Sequence, residues 1–190
     1  MFRRRPLRRA IMGRPPLGEP ARRALMHGHH LMETGNYAEA AQVFERLASE
    51  AQARGMLPRA PQLYFQASRA RMLAGQVPQA LDLLYKGLQI LADTQHWQHL
   101  YKAGLRAVEG LKQQGHPKEA EQVQAWIDAA IKDHPEAKQA ALEAAAPARP
   151  RHIPAKCPFC GGSIRPNEVE WLDETTAECP YCGSSVQSEE

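Results

Sequence analysis

Three evenly spaced glycines constrain this chain more than any other feature. Gly35, Gly75 and Gly115 recur at equal intervals, and Ala40, Ala80 and Ala120 each follow one of them at the same offset. The local strings are GNYAEA, GQVPQA and GHPKEA. Each glycine closes one apolar-periodic stretch and opens another. Helices commonly end on a residue in the left-handed conformation, which glycine adopts at least cost. Pro78 and Pro117 lie shortly after the second and third glycines, where the first turn of a new helix accepts proline.

The flanking stretches carry a helical apolar stripe. Ala24, Gly28 and Leu31 share one face before the first glycine, and Ala40, Val43, Phe44 and Leu47 share one after it. Ala80, Leu81, Leu84 and Leu88 repeat the stripe, as do Ala120, Val123 and Ile127. Small residues beside the turns, Gly28 with Ala40 and Ser68 with Ala80, let paired antiparallel helices approach closely. One helical hairpin cannot bury such a face, whereas three stacked hairpins can.

Residues 21–131 therefore resemble the tetratricopeptide repeat. That family places small residues seven before and five after the turn glycine, an aromatic two after it and a large residue nine after it. Gly28, Ala40, Tyr37 and Phe44 match well; Ser68, Ala80, Val77 and Leu84 match in part; Val108, Ala120, Pro117 and Gln124 match least. Arg71 stands where a core aromatic is usual, and Leu47 and Ile127 where a small residue is usual. The step from Gly35 to Gly75 also exceeds the family's common period of about 34 residues. The longer period implies longer helices.

The resemblance implies a mainly α fold, a short tetratricopeptide-like α-solenoid of three helical hairpins. It also implies binding rather than catalysis: a groove lined by the first helix of each pair takes a protein or peptide ligand. By family register the groove-lining residues are Arg22, Leu25, His29, Met32, Phe65, Arg69, Met72, Lys102, Leu105 and Glu109. Leu25 and His29 occupy positions where some family members clamp a peptide carboxylate with Lys and Asn, so that clamp is not expected. Residues 134–146 are expected to form a last helix that caps the stack.

Beyond Ala146 the pattern breaks. AAAPARPRHIPAK reads as an extended linker. CPFCGG and CPYCGS follow, with the inner cysteines at Cys160 and Cys179. Two residues between paired cysteines let both sulfurs reach one ion, and Gly161 and Gly183 allow the turn that follows. Cys157, Cys160, Cys179 and Cys182 thus have the spacing of a structural zinc site with one ion and no open position. Glu168–Trp171 alternates as a strand does, Asp173 and Glu174 suit a turn, and Thr175–Ala177 suits a returning strand. About thirty residues cannot build a self-sufficient core, so metal supplies the folding energy. The segment resembles a zinc ribbon. The rubredoxin family shares the Cys-Pro-x-Cys-Gly knuckle but binds iron and usually has a longer insert and a richer aromatic core. Glu168, Glu170, Asp173, Glu174 and Glu178 make this ribbon acidic, which argues against phosphate binding by it.

Charge divides the chain the same way. Residues 1–23 hold eight Arg and one Glu, a net of +7; residues 24–143 hold 12 basic and 13 acidic groups, −1; residues 144–190 hold 4 and 7, −3. The arginine- and proline-rich start is expected to be a disordered arm with affinity for polyanions, either nucleic acid or anionic lipid. No apolar run approaches the ~18–20 residues of a membrane span, and no apolar segment follows the basic start as in a secretory signal. With paired thiols and no signal, a cytoplasmic protein is expected. The boundaries are a basic arm at 1–20, a helical repeat domain at 21–143, a linker at 144–155 and a zinc ribbon at 156–187.

No phosphate loop, dinucleotide fingerprint, H-E-x-x-H or G-x-S-x-G is present. His27, His29, His30 and Glu33 share a helix but suit a surface or groove better than a metal. Trp97, flanked by His96 and His99, suits a turn, Trp126 the end of the stack, and Trp171 the anchor of the ribbon. The expected function is a non-enzymatic protein-interaction adaptor whose groove and ribbon are two docking modules. The alternative is a nucleic-acid or membrane-surface binder acting through the arginine arm.

Overall fold

The computed structural model describes residues 17–143, 153–166, 169–172 and 175–188. Among them lie helices α1 (Glu19–Glu33), α2 (Tyr37–Ala53), α3 (Ala60–Leu73), α4 (Val77–Asp93), α5 (Trp97–Gln113), α6 (Pro117–Ala130) and α7 (Pro135–Glu143). Strands β1 (Glu170–Trp171), β2 (Thr176–Glu178) and β3 (Ser185–Gln187) follow. The protein is mainly helical with a small C-terminal sheet. Most of the basic arm (1–16) and residues 144–152 of the linker lie outside the described residues. None of the described helices is long and apolar enough to cross a membrane.

Helices α1 to α5 end in the same way. Gly35, Gly55, Gly75, Gln95 and Gly115 take φ of +80°, +70°, +74°, +58° and +83°. The next residue's amide then donates to the carbonyl five positions back: Asn36 to Leu31, Met56 to Ala51, Gln76 to Arg71, His96 to Leu91 and His116 to Leu111, at 2.8–2.9 Å. This is the Schellman closure, which satisfies carbonyls left open at a helix end. At one fixed offset after these turns stand Ala40, Ala60, Ala80, Leu100 and Ala120, all fully buried. The structural interval is therefore half the glycine spacing seen in the sequence. Gly35, Gly75 and Gly115 mark every second turn of the series, and Gly55 and Gln95 mark the turns between them.

Each helix of the series α1 to α6 packs on its sequence neighbours, and α7 packs on α5. The small residues set the spacing. A Cβ on Gly28 would lie 2.9 Å from the Phe44 ring, and one on Gly104 would lie 2.3 Å from Ile127 Cδ1. Between α3 and α4 the Ser68 hydroxyl donates to the Ala80 carbonyl at 2.7 Å. In the third hairpin Val108 is ordinary core. The close approach comes one turn earlier, at Gly104. Arg71, the departure from the family pattern, is only 16% exposed and donates to Glu45 and Gln76 at 2.6 and 2.7 Å. Trp126 packs at a tilt on Tyr85, and Trp97 stacks on His134 at 4.1 Å.

The sheet has the order β1-β2-β3, antiparallel throughout. Trp171 pairs with Ala177, and Ala177 pairs with Val186. The expected strand at Glu168–Trp171 is represented by its last two residues, and Glu168, Asp173 and Glu174 lie outside the described residues. The second strand begins at Thr176 instead of Thr175, and β3 has no counterpart in the sequence pattern. One apolar cluster runs from α1, α2 and α3 into the cysteine segment and Val186; a second joins α4, α5 and α6.

Candidate metal centre

Both cysteine pairs sit on the same local turn. The Gly161 amide donates to the Cys157 carbonyl and the Gly183 amide to the Cys179 carbonyl, each at 2.9 Å. Both glycines have positive φ, 73° and 70°, a conformation that a side chain would strain. Behind each turn the chain closes again: the Cys157 amide donates to the Gly162 carbonyl at 2.8 Å and the Cys179 amide to that of Ser184 at 2.9 Å.

These turns converge the four sulfurs. Cys157 Sγ lies 3.7 Å from Cys182 Sγ, and Cys160 Sγ lies 3.8 Å from Cys179 Sγ. All four fall within 4.8 Å of one another and all are at most 2% exposed. A tetrahedron of sulfurs at the usual zinc distance of ~2.3 Å has an edge of about 3.8 Å. All four cysteines are free thiols. The donor set can hold one metal ion. Among the described residues no other group of His, Cys, Asp or Glu side chains meets that condition. His27 and His30 are exposed.

The packed sulfurs perturb one another. A hydrogen bond from Cys160 brings the Cys157 thiol down to about 7, and one from Cys157 lowers Cys182 further. Cys160 and Cys179 are pushed up, chiefly by their hydrogen bonds with Cys157. Four such thiols cannot all ionise without a cation among them. A bound cation inverts that balance and deprotonates its ligands.

The centre is built into the helical body. The Leu17 amide donates to the Cys182 carbonyl at 3.0 Å. Gln66 Nε2 on α3 donates to the Tyr181 hydroxyl at 3.1 Å. The His29 ring on α1 lies between Phe44 and Tyr181, 5.2 Å from each. Lys156 pairs with Glu33, and its ammonium holds that carboxyl below its ordinary range. His29 Nε2 is buried with no hydrogen-bond partner among the described residues, and burial brings the ring down to about 4.

The residues expected to line a groove therefore divide. Leu25 is fully buried in the apolar cluster that the cysteine segment joins. His29, Met32 and Arg69 line a seam of about 260 Å³ between the helices and Gly161, Ser163 and Tyr181. Arg22 is half-buried on α1. Phe65 packs over Gly87, where a Cβ would meet its ring at 2.5 Å. Met72 and Leu105 are partly buried against the second cluster, Lys102 is half-buried, and Glu109 is exposed and accepts from Gln113.

Tyr181, Gln66 and Gly162 carry no signal of this role in the sequence. Phe159 and Tyr181 hold the same place in CPFC and CPYC, yet Phe159 is 43% exposed and Tyr181 is buried. Comparison with protein-family models, curated proteins and solved structures finds no match.

Proposed function

We propose that the chain is a non-enzymatic adaptor that binds a protein or peptide on tetratricopeptide-like hairpins stacked as a short solenoid. Support comes from one observation above all. The same helix–turn unit recurs at Gly35, Gly55, Gly75, Gln95 and Gly115, with the same buried small or apolar contact after each. A repeated unit extends a surface without building a reaction centre. The face on α3 and α5 marked by Met72, Lys102, Leu105 and Glu109 mixes apolar, basic and acidic character, which suits an amphipathic segment. The metal is zinc in a structural role, because four thiolates close the coordination sphere and leave no place for water. A reducing compartment such as the cytoplasm keeps those thiols available.

Affinity capture of full-length protein from native lysate, with metal retained and nuclease added, tests the reading. Expected is a defined protein recovered near stoichiometry, lost with Leu105→Glu and kept when residues 2–14 are deleted. A capture emptied by nuclease or by deleting the arm assigns the function to the arginine-rich start instead. Elemental analysis is expected to find one zinc per chain in a colourless preparation; a coloured iron protein refutes the metal assignment.

A further inference from the structure

Helix α1 ends the stack. Among the described helices it packs on α2, which leaves its other face to be covered by something else. The cover in this structure is the cysteine segment. Tyr181 stands edge-on to His29, Gly162 approaches so closely that a Cβ there would lie 2.9 Å from His29 Nε2, and Cys182 holds Leu17 just ahead of α1. Ile164, Tyr181 and Val186 are buried in the same cluster as Leu25 and Phe44. Gln66 to Tyr181 and Glu33 to Lys156 tie the rim.

The cover has little stability of its own. Its strands are two and three residues long. A sheet this small is not independently stable. Two devices can hold its shape: one ion gathering the four sulfurs, and the helical face beneath. The two are contiguous, since Tyr181 lies between Cys179 and Cys182, and Gly162 follows closely on Cys160. Without the ion, the four thiols lose what holds the two knuckles to each other, and Tyr181 and Gly162 no longer share one rigid surface.

We infer that the described residues between 153 and 188 are the resident occupant of the α1–α3 face, a cap locked in place by the metal, whose release uncovers the seam at His29, Met32 and Gln66. The inference shares its helical surface with the adaptor reading. It is tested within the chain itself, without a partner, so the two fail separately. In this arrangement metal occupancy sets how much of the binding surface is open: α5 and the Met72 side of α3 are available with metal bound, and α1 and the Gln66 side of α3 join them when metal leaves.

Hydrogen exchange on full-length protein carrying one zinc, before and after removal of the ion by a chelator, reads this directly. The amides of Glu19–Glu33 are expected to exchange at least tenfold faster once the zinc is gone, with α5 and α6 unchanged. Equal exchange in α1 with and without zinc overturns the inference, and so does uniform acceleration across α1 to α6. A helix-side variant leaves the cysteine segment untouched. Glu33→Lys with Gln66→Ala removes both rim ties and sets a like charge against Lys156. It is expected to keep one zinc per chain and yet speed α1 exchange several-fold; wild-type protection in that variant refutes the cap.

Discussion

Two glycines of one helix should respond to the same substitution with opposite signs. Gly104 and Gly110 both lie inside α5. A Cβ on Gly104 would stand 2.3 Å from Ile127 Cδ1 and 2.7 Å from its Cγ1, whereas one on Gly110 would meet nothing within 4 Å. Carbon atoms in contact sit ~3.5–4.0 Å apart, so Ile127 would have to retreat by more than ~1 Å. It has nowhere to go, being fully buried beside Val123 and Ala120. Overpacking of this kind costs about 1–3 kcal/mol. Replacing a mid-helix glycine by alanine gains about 0.5–1 kcal/mol at either site. Gly110→Ala is therefore expected to stabilise by about 0.5–1 kcal/mol and Gly104→Ala to destabilise by up to about 2.5 kcal/mol. Urea unfolding followed by circular dichroism, with the slope unchanged, reads both. Ile127→Ala supplies the control: in that background the Gly104 substitution should become neutral or favourable, a coupling of about 1–3 kcal/mol. If both alanines stabilise alike and Ile127 shows no coupling, the close packing of α5 on α6 is not what holds the third hairpin.

Three further outcomes are expected. Gln95→Gly should raise stability by about 0.5–1 kcal/mol, because glutamine there carries a positive φ that glycine carries at the four equivalent turns; an unchanged or lower melting temperature counts against it. Ser68→Ala should cost about 1 kcal/mol by removing the buried donor to Ala80, and a loss below ~0.3 kcal/mol would mean that the hydrogen bond contributes nothing net. His29 is held neutral in the fold, with its pKa brought down to about 4 from 6.5. Its unfolded form takes up a proton first, so the stability this group contributes is complete above pH 6.5 and is lost as pH falls toward 4. Compared with His29→Gln, the parent protein should lose about 1 kcal/mol more at pH 5.5 than at pH 7.5, after allowance for partial solvent access; parallel pH profiles would refute a buried neutral His29.

Local features of this protein were legible in its sequence because they are set by local chemistry. Turn glycines, stripes of apolar residues and two Cys-x-x-Cys pairs each act over a short stretch of chain, and they predict helices on both sides of Gly35, Gly75 and Gly115 and the four cysteines whose sulfurs converge. The turn at Gln95 was hidden, since glutamine gives no sign of a left-handed conformation, and without it Gly55 stood alone outside the regular glycine series. Strand β3 was equally silent: Ser185, Val186 and Gln187 offer a single apolar side chain and become a strand through pairing with β2. The docking of the cysteine segment belongs wholly to the tertiary structure. Phe159 and Tyr181 occupy identical positions in near-identical knuckles, and only the meeting with His29 and Gln66 buries one and leaves the other in water. Contacts between side chains as far apart along the chain as Gln66 and Tyr181 depend on which surfaces the whole chain brings together. No pattern along the sequence encodes that choice, because the complementarity lies in the shape of the two assembled faces.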